Sequence, residues 1–97
     1  MFVGIGVLEL ELSEVHDLKS KRRVVHGLVD RLHARHRISA AEVGSHELWQ
    51  RAEIGVAIVA AHEADVRRML DHVLAIADDQ SEATVTGWDP QILEESE

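Results

Sequence analysis

Hydrophobic and polar positions change their spacing along the chain, and each spacing predicts an element. Residues 2–12 are rich in Val, Ile and Leu, and their second half alternates glutamate with leucine, which is the period of a strand. The first half is apolar on both faces, as expected of a central strand. Residues 18–36 carry apolar side chains at helical spacing, with Asp17 as a suitable N-cap. Gly27 inside this helix costs about 1 kcal/mol relative to Ala unless close packing requires it.

The rest of the chain alternates between strand and helix patterns. Segments of period two predict three further strands, and apolar residues three and four apart predict a second helix. The strands cover residues 38–43, 53–61 and 83–88, and the helix covers 66–78. Pro90 and the acidic residues after it close the chain, so we expect residues 90–97 to form a mobile acidic tail.

The order strand, helix, strand, strand, helix, strand predicts a ferredoxin-like α+β plait. In this fold a four-stranded antiparallel sheet carries both helices on one face, and residues 1–89 form the single domain. The other face then bears an apolar patch that a monomer would expose, so we expect a homo-oligomer that associates through it. The patch consists of Val3, Ile5, Val7, Ala57 and Val59.

The composition places the chain among ordinary globular proteins, because 45% of its residues are hydrophobic and 29% are charged. Cysteine is absent, which excludes disulfides, thiolate catalysis and cysteine-based zinc sites and suits a reducing cytoplasm. The apolar start reaches Glu9 too early for a signal peptide or a membrane span. We therefore expect a cytoplasmic protein with no membrane partner.

Basic residues are concentrated in one segment of this acidic chain. Seven of the ten Lys and Arg residues lie between Lys19 and Arg37, while the formal net charge of the whole chain is -8. Four of them crowd the start of the first helix, whose aligned peptide dipoles already carry roughly half a positive charge. A helix start normally attracts acids, so an anion should compensate these cations.

A functional interpretation of this segment is a nucleic-acid or anion site. The N–H groups of the first helical turn and the side chains of Lys19, Lys21 and Arg23 would hold a phosphate or an RNA backbone. The net charge repels a polyanion at long range, so such binding would be local and salt-sensitive. Three arginines continue the strip over roughly 25 Å, namely Arg31, Arg35 and Arg37.

A structural interpretation uses the same charges within the fold. On a helical wheel Arg22 borders the buried stripe, where it would form an ion pair with Glu42 or Glu9 on a neighbouring strand. Lys19 and Arg23 would then form a solvated face. An acidic protein partner would satisfy these cations as well, and both interpretations stay open.

The loop between the two middle strands contains Leu48, Trp49, Gln50 and Arg51. An aromatic side chain beside Gln and Arg is suited to stack on a base and bond to its edge. In the alternative, which we favour, Leu48 and Trp49 fold back to close the core, because Trp is usually buried and a small core needs its area. Trp88 is expected to pack at the sheet edge.

The seven histidines form no recognised metal motif. His33 and His36, three apart on a helix, would supply only two ligands. No Gly-rich phosphate loop, nucleophile elbow or activated nucleophile is visible. We therefore expect no catalytic residues, no metal, no cofactor and no enzymatic activity.

Three segments together resemble the YlxP-like family of small bacterial proteins, which is classed as a domain of unknown function. They are residues 3–11, the basic run at 18–25, and residues 41–43 followed by 48–52. The likeness extends to about Trp88 and implies the ferredoxin-like fold and a bacterial cytoplasm. Genes of this family often lie near those for transcription and translation factors, which implies an RNA or ribosome connection by association.

These observations lead to one function hypothesis and two alternatives. The first is a non-enzymatic, translation-associated accessory protein that contacts RNA or a ribonucleoprotein through the basic helix face. The alternatives are a protein-interaction module with an acidic partner, and small-anion binding at the first helix N-terminus. The candidate binding residues are Lys19, Lys21, Arg22, Arg23, Arg31, Arg35, Trp49 and Arg51.

Overall fold

Seven helices and strands follow one another in the computed structural model, which describes residues 1–35 and 37–96. Their order matches the predicted one, with one additional strand at the end. They are β1 (Phe2–Glu11), α1 (Leu18–His33), β2 (Ile38–Gly44), β3 (Arg51–Ala60), α2 (Glu63–Asp78), β4 (Thr84–Trp88) and β5 (Gln91–Glu94).

All strand pairs of the sheet are antiparallel, and the strand order is β2-β3-β1-β4. The strands β1 and β3 are central, as predicted, and pair along their whole length from Phe2 with Ala60 to Glu11 with Arg51. The predicted α+β plait is confirmed. Its sheet has five strands instead of four, because β4 and β5 share the second edge of β1.

The fifth strand corrects the prediction of a mobile tail after residue 89. Residues 91–94 pair with residues 2–5 of β1, and the Glu95 N–H donates to the Met1 carbonyl. The chain crosses from β4 to β5 above Gly6, where a Cβ atom would lie 2.8 Å from Trp88 Cζ3 and 3.3 Å from the Pro90 Cα. Since Gly6 has no side chain, Trp88 and Pro90 can close over it and return the chain to the sheet. Glu97 lies outside the described residues.

The core lies between the sheet and the two helices. Alternate side chains of β1 and β3 point into the core from the sheet, and the apolar faces of α1 and α2 cover it from the other side. Its fully buried members include Leu8, Leu12, Leu28, Leu32, Ile54, Val66 and Val73.

Helix α1 begins as predicted, at the cap formed by Asp17. The Asp17 side chain accepts a 2.7 Å hydrogen bond from the Ser20 N–H, and this bond lowers the pKa of Asp17 below its ordinary value of 3.8. The helix ends at His33, earlier than expected, and His36 lies outside the described residues. A Cβ atom built on Gly27 meets no atom within 4 Å, so close packing does not require this glycine.

The other side of the sheet is open among the described residues and mostly apolar. Cross-strand pairing joins Val3 to Val59 and Ile5 to Ala57, as the predicted patch requires. Val43 leans over Gly55 on the same side. We call this surface the open sheet face. Its exposed fractions are 38% for Ile5, 40% for Val7, 54% for Val43, 52% for Val59 and 47% for Leu93.

Neither helix, in the part of the chain that the structure describes, has the length and apolar character needed to cross a membrane.

Candidate functional site

Lys21, not Arg22, is the cation that is buried in the fold. Only 2% of the Lys21 side chain is exposed, and its Nζ lies 3.1 Å from Glu42 Oε2. The ammonium also donates to the backbone carbonyls of Ser45 and His46. Lys21 shares a helix face with Val24, Val25 and Leu28, since these residues follow it at three, four and seven positions.

The predicted ion pair between Arg22 and Glu42 is therefore wrong. Arg22 is exposed, one helical step outside the buried face, while Lys21 reaches Glu42 with its aliphatic stem packed below. Glu42 Oε2 is buried and accepts no hydrogen bond within the described part of the chain. The ion pair with Lys21 is what compensates this carboxylate.

Two arginines of α1 form ion pairs with acids at and after the C-terminal end of α2. Arg23 donates to both carboxylate oxygens of Glu82 at 3.2 and 2.6 Å. Arg31 lies 2.9 Å from Asp79 Oδ2 and donates to Gln80 at 3.0 Å. The hydrogen bond between Arg23 and Glu82 raises the pKa of the arginine and lowers that of the glutamate. Arg23 thus pairs with a glutamate in the connection after α2, and Arg31, in the last turn of α1, pairs with Asp79 at the C-terminal end of α2, where an acid alone would oppose the helix dipole.

The remaining candidate cations divide between the two ends of α1. Lys19, Arg22 and Arg51 are exposed and form no ion pair among residues 1–35 and 37–96, and the same holds for Arg35 at the other end. The predicted basic strip is thus interrupted in the middle by arginines that have partners of their own.

The loop that carries Trp49 is anchored on both sides. On one side Lys21 binds its first carbonyls, and the Ser45 hydroxyl donates to Glu53 at 2.7 Å. On the other side the Gln50 amide donates to the Val15 carbonyl at 3.2 Å, and the Leu12 N–H donates to the Gln50 carbonyl at 2.9 Å. Lys21 and Glu53 thus hold the start of the loop, and Gln50 ties its end to the connection between β1 and α1.

Trp49 and Leu48 project from this anchored loop, each with 51% of its surface exposed. The favoured prediction that they close the core is wrong. Leu12 and Val15 already close that end, with 0% and 3% of their surface exposed. Together with Glu47, Gln50 and Arg51, the two side chains line a shallow hollow of about 450 Å³.

We call the end of the molecule that carries the Trp49 loop and the start of α1 the Trp49 end, and its exposed side chains include Lys19, Arg22, Leu48, Trp49 and Arg51. The hydrogen bonds of Lys21 hold the Trp49 loop against the first turns of α1, where Lys19 and Arg22 lie. An exposed indole on a loop anchored at both ends is suited to stack on a planar group, and Arg51, which lines the same hollow, is suited to attract an anion. Sequence reasoning named four of these residues, but the exposure of Leu48 carried no sequence signal.

Glutamates occupy the end of the open sheet face nearest this site. Glu9 and Glu53 stand directly opposite each other on β1 and β3, a like-charged pair. Their side chains diverge, because Glu9 lies over Gly87 and Glu53 lies over Gly44. Glu11 and Arg51 form the next opposed pair on this face, so three glutamates outnumber one arginine at this end, and the face is apolar beyond it.

His33 makes a structural contact at the C-terminal end of α1, far along this helix from the Trp49 end. His33 Nε2 lies 2.9 Å from the Ala40 carbonyl and 3.2 Å from the Ala40 N–H, at the outer edge of β2. The described residues contain no group of three or more His, Asp or Glu side chains that could hold a metal ion.

Comparison with known proteins identifies relatives but no activity. Residues 3–89 match the model of a family described as "Protein of unknown function (DUF503)". The chain is also 29% identical over 86 residues to "Uncharacterized protein YlxP" of Bacillus subtilis (strain 168), which covers 87% of this chain and 94% of the relative. The resemblance to the YlxP-like family is confirmed.

Proposed function

We propose that this chain, which belongs to the DUF503 family of proteins of unknown function, is a non-enzymatic, translation-associated accessory protein of the bacterial cytoplasm. It contacts RNA or a ribonucleoprotein through the Trp49 end. The observation that carries the proposal is the half-exposed indole of Trp49 on a loop anchored at both ends.

A fixed aromatic platform suits unpaired bases. Stacking of a base on an aromatic side chain contributes about 1 to 3 kcal/mol and tolerates any base identity. Because the loop is already ordered by Lys21 and Gln50, little conformational entropy is lost when a base docks on Trp49. Arg51, Lys19 and Arg22 lie on the same end of the molecule and supply cations for the phosphates.

The open sheet face is a poor RNA surface by comparison. Sheets that bind RNA stack bases on aromatic side chains, whereas this face presents aliphatic groups such as Ile5 and Val59. The net charge of -8 also opposes a polyanion at long range, so contacts at the Trp49 end must be short-range and weakened by salt.

A salt series with matched variants tests the proposal. The first variant replaces the three unpaired cations, Lys19→Gln, Arg22→Gln and Arg51→Gln. The control removes the same charge from internally paired arginines, Arg23→Gln, Arg31→Gln and Arg67→Gln. We expect single-stranded RNA to bind the native chain and the control at low salt and to lose binding in the first variant. Equal loss in both variants, or no binding by the folded native chain, contradicts the proposal.

The open sheet face favours a second function, as an association surface for a second copy of this chain. Its ten-residue central strands and its width of about four strands give roughly 33 by 19 Å, or about 600 Å². A standard interface takes about 800 Å² from each partner, so this face has nearly the required size.

Charge selects one arrangement of the two copies. Glu9 and Glu53 make one end of the face acidic, so stacking with parallel strand directions would place four carboxylates together. Stacking with opposed strand directions keeps the acidic ends apart and brings the apolar centres, around Ala57, into contact. Leu48 and Trp49 lie in the loop beyond the paired strands, whereas Arg51, on the same sheet face as Ala57, lies at the edge of the contact.

A further inference from the structure

A cationic cleft lies at the C-terminal end of α1, at the opposite end of this helix from the buried Lys21. It has a volume of about 310 Å³, at the lower end of the range for small-ligand pockets. It is bounded by the residues that follow α1, by the start of β2 and by α2. Its lining residues are Arg35, Arg37, Ile38, Arg68, Met69 and His72.

The charges around this cleft are mostly uncompensated. Arg35 and Arg37 are exposed, and neither forms an ion pair among residues 1–35 and 37–96. Arg68 lies 3.0 Å from Asp65 Oδ1, which occupies one part of its guanidinium group. Of these three guanidinium groups, only that of Arg68 has a carboxylate partner among the described residues, in a chain whose net charge is -8.

The backbone at Arg37 is unusual in the same place. Its φ of 73° lies in the left-handed region, which residues with long side chains seldom adopt. Left-handed residues are common where a chain leaves a helix, and this one turns the chain toward β2. Here it follows α1 and directly precedes β2, at the mouth of the cleft.

Apolar side chains form the floor of the cleft, beneath the arginines that line its mouth. Ile38 and Met69 belong to the core, with 7% and 8% of their surface exposed, and only their edges reach the cleft. Guanidinium groups bind phosphate with paired hydrogen bonds, and His72 adds a further ring nitrogen. A ligand that matches both parts has a phosphate group and a small organic body.

We propose that this cleft binds a phosphate monoester, whose dianion is held by Arg35, Arg37 and Arg68 and whose organic part rests on Ile38 and Met69. The site is distinct from the Trp49 end and does not depend on the function proposed for that surface.

The test is a titration of the ¹⁵N-labelled native chain followed by amide chemical shifts. The probes are adenosine 5′-monophosphate, inorganic phosphate and adenosine. We expect saturable shifts at residues 35, 37, 38, 68 and 72 with the monophosphate, weaker binding of inorganic phosphate and none of adenosine. Equal affinity for inorganic phosphate would overturn the assignment to an ester. Absence of saturable shifts at these amides with about 10 mM monophosphate would overturn the site itself.

Substitutions distinguish phosphate binding in the cleft from nonspecific attraction of anions to the protein. Arg37→Gln and Arg68→Gln should each weaken binding about tenfold, as expected for one lost charged hydrogen bond. Arg67→Gln is the matched control, because Arg67 neighbours Arg68 on α2 but pairs with Glu63 and does not line the cleft. Equal weakening by the control would overturn the proposal.

A second pair of probes identifies the source of the phosphate. A short RNA with a 5′-phosphate is compared with the same RNA carrying a 5′-hydroxyl. Shifts at the cleft with the phosphorylated RNA only would support recognition of an RNA end by the same chemistry. Equal shifts with both RNAs would show contact with backbone phosphates and would overturn the monoester assignment.

Discussion

Lys21 Nζ lies 3.1 Å from Glu42 Oε2, and only 2% of the lysine side chain is exposed. This ion pair joins the first turns of α1 to the end of β2, and the same ammonium binds the two carbonyls that open the Trp49 loop. Lys21, the most buried cation among the described residues, is therefore a structural group that positions the candidate site without taking part in it.

Replacing Lys21 by Met should destabilise the protein much more than replacing Arg22 by Met. Lys21→Met leaves the Glu42 carboxylate without its cation, and we expect the free energy of unfolding to fall by about 2 to 3 kcal/mol. This lies below the usual range for fully buried pairs, because 24% of Glu42 is exposed. Arg22→Met should change it by less than about 0.5 kcal/mol.

Urea unfolding of the two variants measures this difference. The double variant Lys21→Met with Glu42→Gln should recover part of the loss, since no buried charge then lacks a partner. Equal effects of the two single substitutions would contradict the assignment of Lys21 as the buried cation.

Gly27→Ala should stabilise the protein by up to about 1 kcal/mol. The position is exposed and inside α1, its φ is not positive, and a Cβ atom there meets nothing within 4 Å. Ala therefore adds helix propensity and removes unfolded-state entropy without a steric cost. Thermal and urea unfolding give the result, and a lower stability of the alanine variant would show that the helix packs more closely at this point.

The cap at Asp17 should contribute to stability in a pH-dependent way. The pKa of Asp17 is lowered in the folded chain, chiefly by the hydrogen bond from the Ser20 N–H. The contribution of the charged cap is thus complete above the ordinary value of 3.8 and is lost as the pH falls through the lower folded-state pKa. Asp17→Asn keeps a neutral cap, so the stability difference between the two proteins should shrink below about pH 4. A difference that stays constant down to about pH 2 would argue against this cap.

Single cysteines test the arrangement of two copies, because the native chain contains none. Ala57→Cys lies at the centre of the open sheet face and should form an intermolecular disulfide under mild oxidation. Glu9→Cys lies at the acidic end and should not, since opposed stacking keeps these ends far apart. Sedimentation of the native chain provides the independent measure of its mass. Cross-linking of Glu9→Cys with no cross-linking of Ala57→Cys would contradict the opposed arrangement.

The plait was predictable from the sequence because its signals are local. The alternation of β1, the stripe of α1 and the cap at Asp17 each depend on residues close together in the chain. The apolar open sheet face followed from the same alternation, once β1 and β3 were placed side by side.

The features that sequence reasoning missed depend on distant residues. A lysine is predicted to be exposed, yet the aliphatic stem of Lys21 is buried on the inner face of α1 and its ammonium reaches Glu42. The sequence of β5 predicts a tail. Its place in the sheet depends on Gly6, which is far away in sequence and whose lack of a side chain lets Trp88 and Pro90 close over it. The sequence predicts that Trp49 is buried in the core, because no residue near it in sequence indicates that Val15 already covers this end of the core.

The most direct test of the Trp49 end uses the fluorescence of Trp49 itself. The chain has two tryptophans, so Trp88→Phe leaves Trp49 as the single indole. Titration of this variant with single-stranded RNA at low salt should quench the emission of Trp49 to saturation, and added salt should reverse it. RNA binding detected by another method with unchanged Trp49 emission, or no binding at all by the folded variant and the native chain, would contradict RNA recognition by this surface.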